Sequence, residues 1–285
     1  MRYWNGDNAL REYTFAMKNA ISLRQIHILL CASIFSLVAN FAPGQAIPAQ
    51  GAKLPPGGRS NAVAETAASA TPPVIVIGFV GGFIRHDDPV HSEVQLAARL
   101  RKEYPSGVDV ETFESYHGEN ARKKILSLLD TNHDGKLTNA EKQSARIILY
   151  GHSWGASEAI TVARELKNDG IPVLLTIQVD SVSKFHQNDT VIPANVAQAA
   201  NFYQLDGFVH GQPAIRAADP SHTKIIGNFR FDYKASPYAC NEYPWYDRVL
   251  VKTHTQIECD PNVWKQAEAL IRANLPPEKS NDSTP

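Results

Sequence analysis

The run Ile147-Ile148-Leu149-Tyr150 passes directly into Gly151-His152-Ser153-Trp154-Gly155, after which Ala156, Ala159, Ile160 and Ala163 recur at helical spacing. Consecutive apolar residues rich in β-branched chains read as a strand buried on both faces. A helix pattern that begins this soon after a strand requires a sharp turn. The residues flanking that turn have no room for side chains, and Gly151 and Gly155 supply them. Ser153 then stands at the tip of a strand-to-helix turn with its Oγ exposed. The helix N-terminus behind it favours developing negative charge.

The same alternation extends to both sides. Val74-Ile75-Val76-Ile77 reads as a buried strand and ends in Gly78-Phe79-Val80-Gly81-Gly82, a turn that glycine makes accessible. Ser92 and Gln95 match a capping box, and the helix after them carries Val94, Ala97, Ala98 and Leu100 on its inner side. Val108 to Phe113 alternates as a strand, and Ile125, Leu128 and Leu129 share a helical face after Gly118. Val173 to Val179 and Arg248 to Lys252 read as further strands. Asp260-Pro261 opens a last helix, with Asp as N-cap and Pro in the first turn. This order predicts an α/β fold with a mostly parallel sheet and helices on both faces. Residues 181–240 are long for a simple connection and are expected to contribute to a cap over the site.

Asp130-Thr131-Asn132-His133-Asp134-Gly135-Lys136-Leu137-Thr138-Asn139-Ala140-Glu141 matches the pattern of an EF-hand calcium loop, inserted before the strand that leads to Ser153. Asp130, Asn132 and Asp134 supply side-chain oxygens, and Lys136 needs only its carbonyl. Thr138 acts directly or through water, and Glu141 closes the site with both carboxylate oxygens. Gly135 permits the sharp turn. A sensor pairs two such loops, whereas the sequence shows one, so the expected calcium is structural.

The formal net charge of −1 gives no broad field for nucleic acid or anionic membrane. Ile26 to Ala42 is an apolar run interrupted by polar residues, and Gly44-Gln45-Ala46 follows with small residues for cleavage. That pattern reads as a signal peptide over residues 1–46, with Met17-Lys18 opening a leader of more usual length; a permanent N-terminal anchor is the alternative. Leu30 before Cys31 argues against a lipoprotein. The expected product is exported, periplasmic or secreted, with no stable membrane span once the leader is removed. Residues 47–72, rich in Ala, Pro, Gly and Ser, read as a flexible linker. Residues 73–276 form the expected domain and 277–285 a disordered tail. Of three cysteines, removal of the leader leaves Cys240 and Cys259. Export places these where disulfides form, so they are expected to pair, with two separate buried thiols as the alternative.

At Gly151-His152-Ser153-Trp154-Gly155 the chain resembles the α/β-hydrolase superfamily, particularly its lipase- and esterase-like members, over about Val74 to Ile271. The resemblance implies an order of nucleophile, acid and base along the chain. Ser153 is then the nucleophile. His254 is the base, placed after the expected strand Arg248 to Lys252 and before the last helix. Asp180, at the tip of the strand ending at Val179, matches where some lipase-like members keep their acid, while the superfamily's commoner position favours Asp206 or Asp232. The oxyanion donors implied are the Trp154 amide and one from the loop after the first strand. There Gly78-Phe79 resembles the His-Gly-Phe of many lipases, with Ile77 in the histidine's place, and Phe79 and Val80 both remain candidates. The expected activity is cleavage of a small-molecule or lipid carboxylic ester through an acyl-enzyme. An acyltransferase using the same triad and a non-catalytic calcium-dependent binding module are the alternatives. Phe202, Tyr203, Phe208, Phe229, Phe231, Tyr233, Tyr238 and Trp245 are available for an acyl pocket or for the core.

Overall fold

The computed structural model describes residues 73–185 and 187–277. The expected leader, anchor or linker over 1–72 and the tail from 278 onward lie outside the described residues.

Six parallel strands form the main sheet. Val74–Val80 (β1), Val108–Glu114 (β2), Arg146–His152 (β3) and Val173–Val179 (β4) are joined by Val196–Tyr203 and Lys224–Arg230. A separate two-stranded sheet pairs Val191–Ile192 (β5) with Arg216–Ala217 (β7), which makes the two later strands of the main sheet β6 and β8. Their spatial order is β2-β1-β3-β4-β6-β8. β1 lies beside β3, with Ile75 opposite Ile147 and Phe79 opposite Gly151.

Side chains alternate across the strands and fill two cores. Val74, Val76, Ile148, Tyr150, Leu175 and Ile177 face helices Ser92–Glu103 (α1) and, near the C-terminus, Pro261–Arg272. Ile75, Ile77, Ile147 and Leu149 face the other side, against Gly118–Leu129 (α2) and Trp154–Asn168. The short helix Asn139–Gln143 is α3 and Trp154–Asn168 is α4; then come Trp245–Leu250 (α5), Lys252–Cys259 (α6) and Pro261–Arg272 (α7). The fold is thus of the α/β class, with a parallel sheet covered by helices on both faces. Asp260 caps α7 through the Asn262 amide at 2.8 Å, with Pro261 in the first turn.

Four local expectations are corrected. The segment Arg248 to Lys252 is not a strand. It forms the end of α5 and the start of α6, and Val249 and Leu250 are 66% and 62% exposed, so its apolar residues have no sheet to enter. Residues 181–240 do not form only a cap, because they supply β6 and β8 of the main sheet. The capping box at Ser92 and Gln95 does not form. α1 starts at Ser92 itself, and Gln95 bonds the Pro89 and Val90 carbonyls instead. Ala98 faces outward, while Leu96 joins Val94, Ala97 and Leu100 inside.

Candidate active site

β3 and α4 meet at Ser153, whose backbone adopts φ 55° and ψ −125°. A positive φ is uncommon for a residue with a Cβ and costs on the order of 1–3 kcal/mol, so the surrounding turn has to impose it. The two glycines allow that turn. A Cβ at Gly151 would lie 2.6 Å from the Gly155 carbonyl carbon, and one at Gly155 would overlap the Phe79 carbonyl. The Ser153 amide donates to the Val179 carbonyl at 3.0 Å, which pins the turn to the end of β4. Trp154 opens α4, so its N–H has no carbonyl partner within the helix.

Asp180 follows β4 directly and is fully buried, also with a positive φ of 44°. Its Oδ1 accepts from the Gln204 amide at 3.2 Å and the Gly211 amide at 2.6 Å. Its Oδ2 accepts from Gln204 Nε2 at 2.8 Å and faces His254 Nδ1 at 2.7 Å. Four polar contacts on one buried carboxylate leave it one orientation. Gly211 is required there, since a Cβ would stand 2.6 Å from the Asp180 backbone.

His254 lies in the first turn of α6 and is buried. The Nδ1–Asp180 bond leaves Nε2 as the imidazole's other working nitrogen. The His254 ring packs on that of His152, the residue before Ser153, with centroids 4.4 Å apart. The fold therefore assembles elbow, carboxylate and imidazole on one sheet edge, beyond the C-terminal ends of β3 and β4.

The other two aspartates are occupied elsewhere. Asp206 Oδ2 accepts from the Tyr233 amide at 2.7 Å. Asp232 Oδ1 caps the Lys234 and Ala235 amides at 3.1 and 3.0 Å, and the Ala235 bond leads in holding its carboxyl below the usual range. Phe79 sits inside β1, in register with Phe113 on one side and Gly151 on the other. Val80 is the last residue of that strand, and Gly81 is the residue that abuts the Ser153 turn. A Cβ at Gly81 would be 3.1 Å from Ser153 Cβ. Of the aromatics, Phe202 and Tyr233 are core and Phe208 is fully exposed; Phe83 is exposed and meets Trp154 edge-on at 5.6 Å.

Sequence reasoning passed over a buried polar group beside this site. His91 Nδ1 bonds Glu258 Oε1, and His152 Nδ1 stands 3.4 Å from Glu258 Oε2 and 3.9 Å from Glu93 Oε1. Burial pushes the His152 imidazole down to about 4. Burial also raises the Glu93 carboxyl well above its usual range, and neighbouring Glu258 adds to this. Burial pulls His91 down too, but the bond to Glu258 together with the charges of Glu258, Glu93 and Asp88 outweighs that and carries it up to about 9. The only sequence signal was a pair of ionisable residues, His91 and Glu93, at the start of an otherwise apolar helix face.

In the loop 130–141, the Asp130 carboxylate accepts from the Asp134 and Gly135 amides at 3.2 and 2.9 Å. Asp134 accepts from the Lys136 amide at 2.8 Å, and Asn132 Oδ1 from the Asp134 amide at 3.1 Å. Gly135 takes φ 78°, as its place in the pattern requires. Thr138 caps α3, and Glu141 completes a capping box with it while also accepting from Thr131. The helix after the loop has only five residues, shorter than an EF-hand's exiting helix. The donor set is all oxygen and suits calcium, and Glu141 has to leave its cap to join it.

No protein-family model matches the chain, and no curated protein matches it either. Twelve chains of solved structures do match. One is RedJ with a PEG molecule bound in its active site, at 11% identity and a TM-score of 0.33 over 65% of this chain and 94% of that one. Another is the RedJ thioesterase from the prodiginine biosynthetic pathway of Streptomyces coelicolor, at 12% identity and a TM-score of 0.32 over 66% and 91% of the two chains. Neither likeness bears on substrate or on site residues.

Proposed function

We propose that the protein is an exported serine hydrolase that cleaves a carboxylic ester through an acyl-enzyme on an α/β-hydrolase-like fold. The observation that carries this reading is the pairing of a strained Ser153 at a strand-to-helix elbow with a buried Asp180–His254 dyad on the same sheet edge. In this reading His254 Nε2 takes the proton of Ser153 Oγ as that oxygen attacks the ester carbonyl, and returns it to the leaving alcohol. Asp180 holds the imidazole in the tautomer that exposes Nε2 and stabilises the cation formed. The Trp154 N–H, at the positive end of α4, faces the developing oxyanion. The second donor comes from the turn after β1. We assign it to Gly81, which abuts Ser153, ahead of Phe79 and Val80 within the strand.

Water then attacks the acyl-enzyme through the same base. The loop Asp130–Glu141 holds a structural calcium ion through Asp130, Asn132, Asp134, the Lys136 carbonyl, Thr138 and Glu141. It lies between α2 and β3, away from the elbow, and takes no part in proton transfer. The disulfide between Cys240 and Cys259, with Cα atoms 5.8 Å apart, supports an oxidising destination. Among the described residues no helix is long and apolar enough to cross a membrane.

A fluorophosphonate probe tests the central claim, since it labels only an activated serine. Peptide mapping is expected to place the adduct on Ser153, with labelling lost in His254→Ala. A folded protein that takes no label is a binding module and ends the hydrolase reading. Product analysis with and without added alcohol then separates hydrolysis from acyl transfer.

A further inference from the structure

We propose that His91, Glu93, His152 and Glu258 form a zinc site that fastens the helix carrying His254 to the turn carrying Ser153. The four side chains come from three elements. His91 and Glu93 lie at the start of α1, His152 ends β3, and Glu258 is one helical turn after His254 on α6. One ligand atom each from His91, Glu93 and Glu258 lies within 4.8 Å of the others. His152 Nδ1 adds a fourth, at 3.4 Å from Glu258 and 3.9 Å from Glu93. Tetrahedral zinc with bonds of about 2.0–2.2 Å separates its ligand atoms by about 3.3–3.6 Å. To meet that geometry the His91–Glu258 contact has to open and His152 has to draw in towards the other three.

Burial leaves the arrangement short of partners. The four residues are only 5, 0, 2 and 4% exposed. Among the described residues neither ring nitrogen of His152 has a hydrogen-bond partner, and the Glu93 carboxyl finds one only by sharing a proton with Glu258. Buried polar groups are ordinarily bonded, and buried charges are paired or bind metal. With both carboxyls ionised and both imidazoles neutral, as metal ligands must be, the four side chains carry two negative charges together, which a divalent cation cancels.

The donor chemistry selects the metal. Calcium and magnesium take oxygen ligands, whereas two imidazole nitrogens with two carboxylate oxygens suit zinc. Four protein ligands close the coordination sphere, and a water-activating zinc keeps one position open, so this ion is structural. Its effect on the site is positional. Glu258 and His254 share one face of α6, and the His152 ring bridges the cluster to the His254 ring. The proposal holds whether or not Ser153 is a nucleophile.

Tag-free full-length protein, freed of metal by dialysis against a chelator, is titrated with zinc chloride in excess calcium and followed by calorimetry. The expected result is one equivalent of zinc bound at submicromolar concentration. Glu93→Gln and Glu258→Gln are each expected to weaken it by at least about 100-fold, since loss of an outer partner alone costs 10–100-fold. Glu141→Gln, in the calcium loop, leaves zinc binding unchanged. A folded wild-type protein that takes up no stoichiometric zinc overturns the site, as does equal affinity in Glu93→Gln and Glu258→Gln. Should those variants fail to fold, cobalt(II) in the wild-type protein decides. An intense four-coordinate visible spectrum supports the site, and a six-coordinate spectrum or none refutes it.

Discussion

Ser153 carries both the proposed chemistry and a backbone conformation that disfavours it, and the two effects separate by substitution. Ser153→Ala removes Oγ but keeps the Cβ at φ 55°, whereas Ser153→Gly removes both. Each variant should lose esterase activity by about 10⁴-fold or more, measured against residual hydrolysis on a chromogenic ester. Ser153→Gly should nevertheless melt higher than Ser153→Ala, by the equivalent of about 1 kcal/mol, because relief of strain exceeds glycine's added unfolded-state entropy. Equal melting temperatures would mean that the turn stores no strain. Asp180→Asn tests the acid: with its four donors the carboxylate orients His254, so kcat should fall by about 10⁴-fold, while Asp232→Asn, on an exposed turn, stays active. The reverse result would move the acid role to Asp232. Ser153 was legible as a candidate from its motif, whereas Asp180 stood beside Asp206 and Asp232, and His254 was chosen for following a strand that is in fact helical. The partners of Asp180, Gln204 and Gly211, were not legible, because their contacts span 24 and 31 residues with no local pattern. Glu93 and Glu258 were equally hidden, since a glutamate on a helix normally faces solvent and only the packed fold buries them.

Strands with strong local signals were read correctly, and those without were missed. β1, β3 and β4 are near-continuous apolar runs, as strands buried on both faces must be. β6, with Ala197, Gln198, Ala199, Ala200 and Asn201, has poor strand propensity and owes its place to pairing with β4 and β8. Among the described residues β8 pairs only with β6, and its residues stay partly or fully exposed, so it lacks a buried-strand signature. The run Arg248 to Lys252 erred in the opposite direction: its Val and Leu residues look strand-like, yet Pro244 sets the N-terminus of a helix that leaves them exposed. The proposed base, His254, therefore sits in a helix, α6, whose last residue Cys259 is tied to Cys240. Their separation of 19 residues implies about 3 kcal/mol of stabilisation in the chain-entropy model. The double variant Cys240→Ser/Cys259→Ser should lose about that much in urea unfolding. Reduction of the wild-type protein should lower activity at denaturant concentrations where the sheet's circular dichroism is unchanged. If activity and sheet signal fall together, the bridge stabilises the domain as a whole instead of positioning α6.

For the molecule as a whole, the proposed calcium loop joins α2 to β3, the strand that ends at the Ser153 turn, so an ion held there would bear on the stability of the entire domain. A ligand that binds only the native state contributes RT ln(1 + [L]/Kd), about 1.4 kcal/mol at ten times Kd. Extracellular calcium modules bind at about 10⁻⁴–10⁻³ M, so millimolar calcium suffices to reach that range. A domain of this size shifts its melting temperature by about 2–4 °C per kcal/mol, which predicts a rise of about 3–6 °C when calcium is added to metal-free protein. Zinc is held constant during the titration so that one metal is not mistaken for the other. Glu141→Gln should erase the rise, because it removes the carboxylate that closes the loop. It should also lower the calcium-free melting temperature slightly, since Glu141 forms the capping box with Thr138 at the start of α3. Those two effects have different origins and separate cleanly: the cap loss persists in chelator, and the calcium response does not. Wild-type protein whose melting curve ignores calcium, after metal removal has been verified by elemental analysis, would leave residues 130–141 a turn held by its own amide–carboxylate bonds.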